Sequence, residues 1–307
     1  MRLLYGLKKW PELRAGCVAT IGNFDGVHRG HQALLAGLRK EADLLRLPML
    51  VFLFEPQPSE YFNTSKAPAR LSSLREKIRA LEQCGVEYVY CLKFDKHIAS
   101  MSALEFAERF LFRTLGVRHV TVGNDFRFGS DRLGDVALLR TLGQKYECHV
   151  HSFSEFTIAE ERVSSTQVRL ALHLGKLDRA AQLLGRTYHM CGRVIPGKGL
   201  ARLWGVPTAN LALHRVTLPM TGVFCVQVNR LGKPKLAGVA NMGCRPTVDG
   251  RKNVLEIHLF DFDESIYGEW LQVSFVQKLR DEMKFPSVED LVAQIHEDIK
   301  KAKAIMT

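Results

Sequence analysis

The periodicity of the apolar residues changes near residue 184, and this change divides the chain into two parts that are expected to fold differently. Before it, short apolar runs alternate with helical patterns, whereas after it short strands and turn signals dominate. Strands that alternate with helices predict a doubly wound parallel sheet with right-handed crossovers. Closely spaced strands without helices predict a small antiparallel β-barrel. We therefore expect an α/β domain over residues 1–185 and a barrel domain over residues 186–307 that ends in a helix.

The predicted strands are short and apolar, and capping signals mark several helices. In the first domain the strands cover residues 18–21, 49–54, 88–94, 119–122 and 148–153. Ser73 with Glu76, and Ser102 with Glu105, have the spacing of capping boxes at helix starts. In the barrel the strands cover residues 188–194, 222–228, 235–240, 254–260 and 271–276, and the last helix begins near Ser287. Turn signals such as Asp249-Gly250 separate these strands.

The composition argues against several classes of protein. The chain is 46% hydrophobic, and none of its apolar runs approaches the ~20 residues that span a bilayer. The seven cysteines form no Cys-x-x-Cys pair, which argues against a disulfide framework and a zinc site. The net charge of +11 suits nucleic acid or small anionic substrates, and the lack of a block of like charges favours the small anions. We expect a cytoplasmic monomer or weak oligomer with no nucleic-acid or membrane partner.

A glycine-rich turn with two histidines follows the first predicted strand, in residues 20–31 (TIGNFDGVHRGH). Gly22 and Gly30 allow close backbone approach, and the helix that follows offers free N–H groups to a phosphate. His28 and His31 are three residues apart, so they share a helix face and can hydrogen-bond phosphate oxygens. The alternative is a pair of solvated or core histidines in a turn. The turn therefore predicts a phosphate site, and its resemblance to the nucleotidyltransferase superfamily implies that Gly22, Phe24 and Gly30 bind ATP and that His28 and His31 are catalytic.

A second signature lies in residues 163–169 (VSSTQVR), at the predicted start of a late helix. Ser165 and Thr166 can cap that helix, which is also the simplest explanation of these residues. Arg169 lies one turn further on, where a guanidinium can reach a triphosphate. Together with the histidine turn, this segment resembles the nucleotidyltransferase superfamily, whose members join a nucleotide to a phosphate and release pyrophosphate. The resemblance implies that Ser165 and Thr166 bind ATP and that Arg169 is catalytic.

Two aromatic segments follow predicted strands, at the carboxyl ends where open α/β sheets bind ligands. They are residues 54–58 (FEPQP) and 123–129 (GNDFRFG). They look like the flavin-binding segments of bacterial FAD synthetases. The alternative is that these aromatic residues only pack the edge of the domain, which would give the same sequence pattern. The resemblance implies that a flavin contacts Phe54, Pro56, Pro58, Asn124, Asp125 and Phe128.

A glycine-rich loop opens the barrel part, in residues 197–210 (GKGLARLWGVPTAN). It is not a Walker A sequence, because no Gly-Lys-Ser/Thr follows, but it has the glycines and cations of a phosphate site. Thr208 and Asn210 alternate by two, so in an extended segment both point the same way, and neutral oxygens of this kind can hold Mg²⁺. Pro-Thr-Ala-Asn resembles the signature of riboflavin kinase. We predict that ATP is bound by Gly197, Lys198, Gly199, Arg202, Thr208 and Asn210, with Mg²⁺ at the last two.

Further matches extend the resemblance over essentially the whole chain. Residues 238–247 (GVANMGCRPT), 255–260 (LEIHLF), 266–268 (IYG) and 279–285 (LRDEMKF) follow in the order of the bifunctional bacterial riboflavin kinase/FMN adenylyltransferase family. The family implies that riboflavin and ATP give FMN and ADP, and that FMN and a second ATP give FAD and pyrophosphate. It also implies flavin contacts at Arg280, Glu282 and Phe285. Ala201 and Val206 depart from the family pattern.

Glu256 is the predicted base of the kinase step. Leu255, Ile257 and Leu259 share one face of a strand and are expected in the core, so Glu256 projects to the other face. A carboxylate on a strand can be held within hydrogen-bond distance of a substrate hydroxyl. Without the resemblance, a surface charge is the simpler interpretation. The competing carboxylates are Asp261, Asp263 and Glu264, in a predicted solvated turn.

Three other functions compete with this interpretation. A regulatory flavin- or nucleotide-binding protein without catalysis would not need His28, His31, Thr208, Asn210 and Glu256 together. A nucleotidyltransferase for another substrate would leave the barrel unexplained. An RNA-binding barrel would carry aromatic residues interleaved with basic residues on a strand face, and this pattern is lacking in the sequence.

Overall fold

The computed structural model describes the chain except residues 7–9, 65, 131, 198, 214, 248–249 and 307, and at residues 200, 245–247 and 250–252 it describes the backbone alone. The chain divides into two compact units. The sheet unit consists of Met1–Pro68 and Leu74–Ser164, and the barrel unit consists of Ala69–Ser73 and Ser165–Thr307. The boundary predicted at residue 185 divides the chain by function, and it stays a prediction.

The sheet unit contains a six-stranded parallel sheet, which confirms the predicted α/β fold. Its strands are β1 (Arg2–Leu4), β2 (Cys17–Ile21), β3 (Met49–Glu55), β4 (Tyr88–Lys93), β5 (Val117–Gly123) and β6 (His149–Phe153). They lie in the order β1-β4-β3-β2-β5-β6, and every neighbouring pair is parallel. The chain winds outward from β2 in one direction and then outward from β5 in the other. The switch point between β2 and β5 is where such sheets bind ligands.

Helices cover both faces of this sheet, because alternate side chains of each strand bury into different apolar layers. In β3, for example, Leu50 and Phe52 belong to one core cluster, and Val51 and Leu53 belong to another. The helices are α1 (Arg29–Leu45), α2 (Pro58–Phe62), α3 (Leu74–Gln83), α4 (Lys96–Ala99), α5 (Ala103–Phe106) and α6 (Val136–Tyr146). A π-helical segment (Ala107–Thr114) continues α5, a 3₁₀ turn covers Pro11–Leu13, and a hairpin joins β7 (Thr157–Ile158) to β8 (Glu161–Arg162).

The barrel unit contains a closed antiparallel barrel, again as predicted. Its strands are β9 (His189–Ile195), β10 (Ala209–Leu211), β11 (Gly222–Arg230), β12 (Leu236–Thr247), β13 (Gly250–Leu259) and β14 (Trp270–Arg280), in the order β10-β13-β12-β11-β14-β9. The sequence predicts β11 to β14 with fewer residues than they have and β9 one residue too early, and it does not predict β10, which has three residues. The proposed turn residue Asp249 lies outside the described residues.

The described part of the barrel unit also contains the helices α7 (Ser165–His173), α8 (Leu177–Leu184), α9 (Leu200–Leu203) and α10 (Val288–Met306). The hydroxyl of Ser287 accepts a hydrogen bond from the backbone N–H of Asp290 at 3.1 Å, which confirms the predicted start of the last helix. Ala302 of α10 is buried with Val223 and Val239 of the barrel wall. Among the described residues, no helix has the length and apolarity needed to cross a membrane.

Candidate active sites

A cleft of about 260 Å³ opens in the sheet unit beyond the carboxyl ends of β2 and β5. This is the switch point of the sheet. The predicted residues that line the cleft are Gly22, Phe24, His28, Gly30, His31, Asn124 and Asp125. Folding thus brings together the histidine turn and the segment after β5, which are far apart in sequence.

The turn before α1 holds its two histidines in a fixed pair. His28 is the N-cap of α1, and its Nδ1 accepts a hydrogen bond from the backbone N–H of His31 at 3.3 Å. The two rings stack with their centroids 3.7 Å apart. A Cβ at Gly30 would lie 3.2 Å from the ring of His28 and from the carbonyl oxygen of Val163. A side chain at residue 30 would therefore crowd both groups, and one of them would have to shift by a few tenths of an ångström.

Burial favours the neutral form of the His31 imidazole. Burial of the ring is the main reason that the pKa of His31 lies well below its ordinary value of 6.5, and the charges of His28 and Lys77 lower it further. Its Nδ1 is buried and has no hydrogen-bond partner among the described residues. A neutral imidazole at a phosphate site acts through its hydrogen bonds, whereas a protonated one also contributes charge.

Arg162 is a cleft residue that sequence reasoning missed. It lies on β8, and its guanidinium contacts carboxylate oxygens of Asp125 and Glu155, each at 2.7 Å. The hydrogen bond from Arg162 holds the pKa of the Asp125 carboxyl below its ordinary value. All three side chains line the cleft. The β7–β8 hairpin brings Arg162 to the cleft. The sequence offered only one signal for this residue, its position directly before the motif that begins at Val163.

The other predicted flavin residues of the sheet unit are not among the described residues that line this cleft. They are Phe54, Pro56, Pro58 and Phe128. Phe54 packs with Phe94 and Phe106, at centroid distances of 5.4 and 5.8 Å. Phe128 is buried against Phe106 and stacks on Phe126, which does line the cleft. Pro56 follows the end of β3, and Pro58 is the first residue of α2.

Phe62, at the end of α2, extends this aromatic cluster to the surface. It is 66% exposed and lies 5.7 Å from the ring of Phe94. The sequence did not single it out, because one aromatic residue in a short helix carries no periodic signal. An exposed ring beside a buried cluster is available for stacking on a planar ligand.

Ser165, Thr166 and Arg169 lie on the first turns of α7, which belongs to the barrel unit. The Nε of Arg169 donates a hydrogen bond to the carbonyl oxygen of Ala69 at 2.7 Å. The role of these residues at the histidine site stays a prediction.

The barrel unit contains a cavity of about 350 Å³ on the outer face of the barrel, bordered by α10. We call it the first barrel cavity. Seven predicted residues line it: Gly199, Thr208, Asn210, Glu256, Arg280, Glu282 and Phe285. Gly197 packs directly against the amide of Asn210, so that a Cβ there would collide with it. Lys198 lies outside the described residues.

The strand register explains how these residues meet. Glu256 of β13 pairs with Asn210 on β10 and with Asn241 on β12. The row continues through Val223 on β11 to Arg280 on β14. Side chains directly opposite each other in such a row have their Cβ atoms about 5 Å apart. Asn241 was missed as a candidate, although it lies in the matched segment 238–247.

His258 is a second missed residue on the same face of β13. It lines the first barrel cavity, and its Nδ1 donates a hydrogen bond to the carbonyl oxygen of Pro207 at 2.9 Å. This bond ties the segment that carries Thr208 to the strand that carries Glu256. The sequence did carry a signal for His258, because it alternates by two with Glu256 and therefore lies on the same face of the strand.

A second barrel cavity, of about 270 Å³, shares Gly199 and Thr208 with the first. Arg202 lines it from one side, and residues 262–267 line it from the other. The buried Arg230 fastens that segment, because its guanidinium donates hydrogen bonds to Glu264 and Glu269 at 2.9–3.2 Å. The two departures from the family pattern lie near these cavities: Ala201 lines the first cavity, and Val206 lines it while being buried.

The competing carboxylates are less suited to act as a base than Glu256. Glu264 is paired with Arg230, and the hydrogen bond between them lowers the pKa of the Glu264 carboxyl. Asp261 is exposed and contacts Lys303 at 3.3 Å. Asp263 lines the second cavity, whereas Glu256 lines the first one together with Asn210.

The donor set around Thr208 and Asn210 fits Mg²⁺ only together with substrate phosphates. Among the described residues, no group of three histidines, cysteines or carboxylates could hold a metal ion. Thr208 and Asn210 offer neutral oxygens at one cavity. Mg²⁺ prefers oxygen ligands and usually takes one or two from the protein and the rest from phosphates and water. The residues present are compatible with that arrangement.

Two family models match successive parts of the chain. The family model for FAD synthetase matches residues 11–167, and the model for riboflavin kinase matches residues 184–306. A crystal structure from Streptococcus pneumoniae, titled as a macrolide-efflux protein, superimposes with a TM-score of 0.80 at 30% identity. The alignment covers 96% of this chain and 97% of that one.

Two curated relatives match along their whole length. The bifunctional riboflavin kinase/FMN adenylyltransferase of Haemophilus influenzae is 46% identical over 304 residues, which is 99% of each chain. The protein of that name from Escherichia coli K12 is 47% identical over 299 residues, 97% of this chain and 96% of the relative. The chain therefore belongs to the bifunctional riboflavin kinase/FMN adenylyltransferase family.

Proposed function

We propose that this chain converts riboflavin to FAD in two steps. Riboflavin and ATP give FMN and ADP, and FMN and a second ATP then give FAD and pyrophosphate. The first step belongs to residues 186–307 and the second to residues 1–185. The observation that carries the kinase assignment is that two cavities of the barrel unit meet at Gly199 and Thr208. A phosphoryl donor in one cavity and an acceptor in the other would meet at these residues.

In the kinase step, riboflavin occupies the first barrel cavity and ATP enters the second. Glu256 takes the proton of the riboflavin 5′-hydroxyl as its oxygen attacks the γ-phosphorus, and ADP leaves. Arg202 and the glycine loop neutralise and orient the phosphates. Mg²⁺, held by Thr208 and Asn210 together with the phosphates, would stabilise the charge that develops during transfer.

In the adenylylation step, a phosphate oxygen of FMN attacks the α-phosphorus of ATP, and pyrophosphate leaves without a covalent enzyme intermediate. His28 and His31 hydrogen-bond the phosphate oxygens at the head of α1, where free N–H groups also favour an anion. Asn124 and Asp125 contact the flavin, and the exposed ring of Phe62 is available to stack on it. Ser165, Thr166 and Arg169 bind the triphosphate.

Both reactions are proposed to occur in the cytoplasm, in a chain that is a monomer or weak oligomer and needs neither nucleic acid nor a membrane. The basic charge of the chain suits its anionic ligands, ATP, FMN, FAD and pyrophosphate.

The direct test follows the two products over time. Purified chain is incubated with riboflavin and Mg-ATP, and flavins are separated by chromatography. We expect FMN to appear first and FAD to follow at its expense, and we expect chelation of Mg²⁺ with EDTA to stop both. Supplied FMN should also be converted to FAD. If riboflavin and FMN remain unchanged with Mg-ATP present, the proposal is wrong.

A further inference from the structure

Asp298 is a buried carboxylate on the C-terminal helix that the proposed chemistry does not use. It is 2% exposed and lines the first barrel cavity. Its oxygens accept hydrogen bonds from Nε of Arg280 at 3.0 and 3.1 Å and from Nη2 at 2.8 Å. The amide of Gln294, one turn earlier on α10, donates a further bond to it at 2.9 Å. The pair therefore has the two-pronged geometry that fixes the plane of a guanidinium.

The remaining contacts of Arg280 complete its orientation. Its Nη1 donates to the carbonyl oxygen of Asp281 at 3.0 Å, and the ring of Phe285 lies 5.7 Å from its Cζ. A guanidinium has five N–H donors, and hydrogen bonds to the described residues engage Nε and one hydrogen on each of the other two nitrogens. One donor on each terminal nitrogen remains for a ligand in the cavity that Arg280 lines.

The position of Asp298 along α10 separates a packed half of the helix from a half that borders the cavity. On its C-terminal side, Ala302 is fully buried against the barrel wall. On its N-terminal side, Leu291 and Ile295 line the cavity. Asp298 thus connects the helix to the end of β14 at the edge of the cavity.

Stability alone is a weak reason for such a pair. A buried ion pair loses much of its Coulomb energy to desolvation, and apolar side chains of similar size often stabilise a fold as well or better. An apolar side chain in place of Asp298 could not hold Arg280 in a fixed orientation.

We propose that Asp298 is a positioning residue for flavin binding, which acts by holding Arg280 so that its two remaining donors meet carbonyl oxygens of the isoalloxazine ring. Phe285 and the apolar residues of α10 cover the faces of that ring. This inference rests on the proposed kinase function, because it places riboflavin in the first barrel cavity.

The test compares riboflavin affinity with ATP affinity in the full-length chain. Asp298→Asn keeps the size of the side chain and removes its charge. We expect the dissociation constant for riboflavin, measured by quenching of flavin fluorescence, to rise about 10- to 100-fold, the range for losing a hydrogen bond to a charged group. The KM for ATP should change less than about two-fold, because ATP enters the other cavity. Glu297→Gln, an exposed neighbour on α10, should leave both constants unchanged.

Two further variants separate orientation from folding. Arg280→Lys keeps the positive charge beside Asp298 but lacks the planar fork, so it should lose riboflavin affinity while melting close to the wild-type temperature. Arg280→Met combined with Asp298→Asn should bind riboflavin no worse than Arg280→Met alone, since the two residues act as one unit. Conversion of supplied FMN to FAD should persist in every variant.

The inference is overturned if folded Asp298→Asn and Arg280→Lys variants bind riboflavin like the wild type, or if riboflavin and ATP affinity fall together. These outcomes leave the proposed function intact as long as the wild-type chain phosphorylates riboflavin. A wild-type chain that neither binds nor phosphorylates riboflavin would contradict the proposed function and this inference with it.

Discussion

Replacing Glu256 with glutamine tests the kinase site with the smallest change in shape. Glu256 lies between Asn210 and Asn241 in one row of side chains, on a strand that pairs on both sides. Glutamine keeps the size of the side chain and its ability to hydrogen-bond, but it cannot accept the proton of the riboflavin hydroxyl. We therefore expect the variant to fold and to bind both substrates while its chemistry is slow.

The expected magnitude follows from the role of a positioned base. General-base catalysis contributes about 10²- to 10⁴-fold to a rate, and each factor of ten corresponds to about 1.4 kcal/mol of activation free energy. Removal of the base should therefore raise the barrier by roughly 2.7–5.5 kcal/mol. The KM values should stay near those of the wild type, because the lost interaction acts mainly in the transition state. The free energy of unfolding should change by less than about 1 kcal/mol, since Glu256 is only partly buried.

The assay is the initial rate of FMN formation at saturating riboflavin and Mg-ATP. Conversion of supplied FMN to FAD in the same preparation reports on the sheet unit and should be nearly unchanged. Glu297→Gln makes the identical chemical change on the exposed face of α10 and should leave both rates intact. A Glu256→Gln variant with near-normal turnover of riboflavin would refute the base assignment and leave Glu256 as a structural residue.

Three other predictions follow from the two units. The double substitution His28→Ala and His31→Ala should abolish FAD formation and spare FMN formation, because both histidines lie in the sheet unit. Residues 186–307 expressed alone should phosphorylate riboflavin, because every described residue of the proposed kinase site lies within them. Burial lowers the pKa of His119 below its ordinary value of 6.5, so the unfolded chain binds more protons than the folded chain just below that pH. The free energy of unfolding should thus fall as the pH drops through 6.5, and His119→Gln should flatten that dependence, as thermal melts between about pH 5 and 8 would show.

Each of these predictions has an outcome that contradicts it. A histidine double variant that adenylylates FMN at the normal rate would remove the histidines from the site. A folded 186–307 fragment without kinase activity, beside an active 165–307 fragment, would show that α7 and α8 are needed. For His119, a pH dependence of stability unchanged by the substitution would mean that other groups cause it.

The inner strands of the sheet, β2 to β5, were predictable because most of their residues are buried on both faces and therefore form apolar runs. β3 is such a strand, and the predicted and observed bounds differ by one residue. β1 was missed, because a three-residue strand that pairs only at the edge with β4 has no periodic signal. β10 was missed because it is equally short, although it pairs on both sides, with β9 and β13.

The residues of the barrel site were predictable from their motifs, but their arrangement was not. The sequence places Asn210 and Glu256 in segments far apart along the chain, and Asn241 between them in sequence carries no pattern of its own. Their meeting depends on the pairing of β13 with both β10 and β12. Register is set by the closure of the whole barrel, and a slip of one residue would turn Glu256 into the core.

By itself, the sequence determined the two folds, the glycine-rich turns and most of the residues that line the clefts, because these depend on local periodicity and on short segments. Only the tertiary structure decided which other side chains hold those lining residues in place. Arg162 reaches the cleft through a hairpin, and Asp298 meets Arg280 because α10 packs back across the barrel. Such pairs join residues from different elements, and their geometry arises from packing over long separations that no local pattern records.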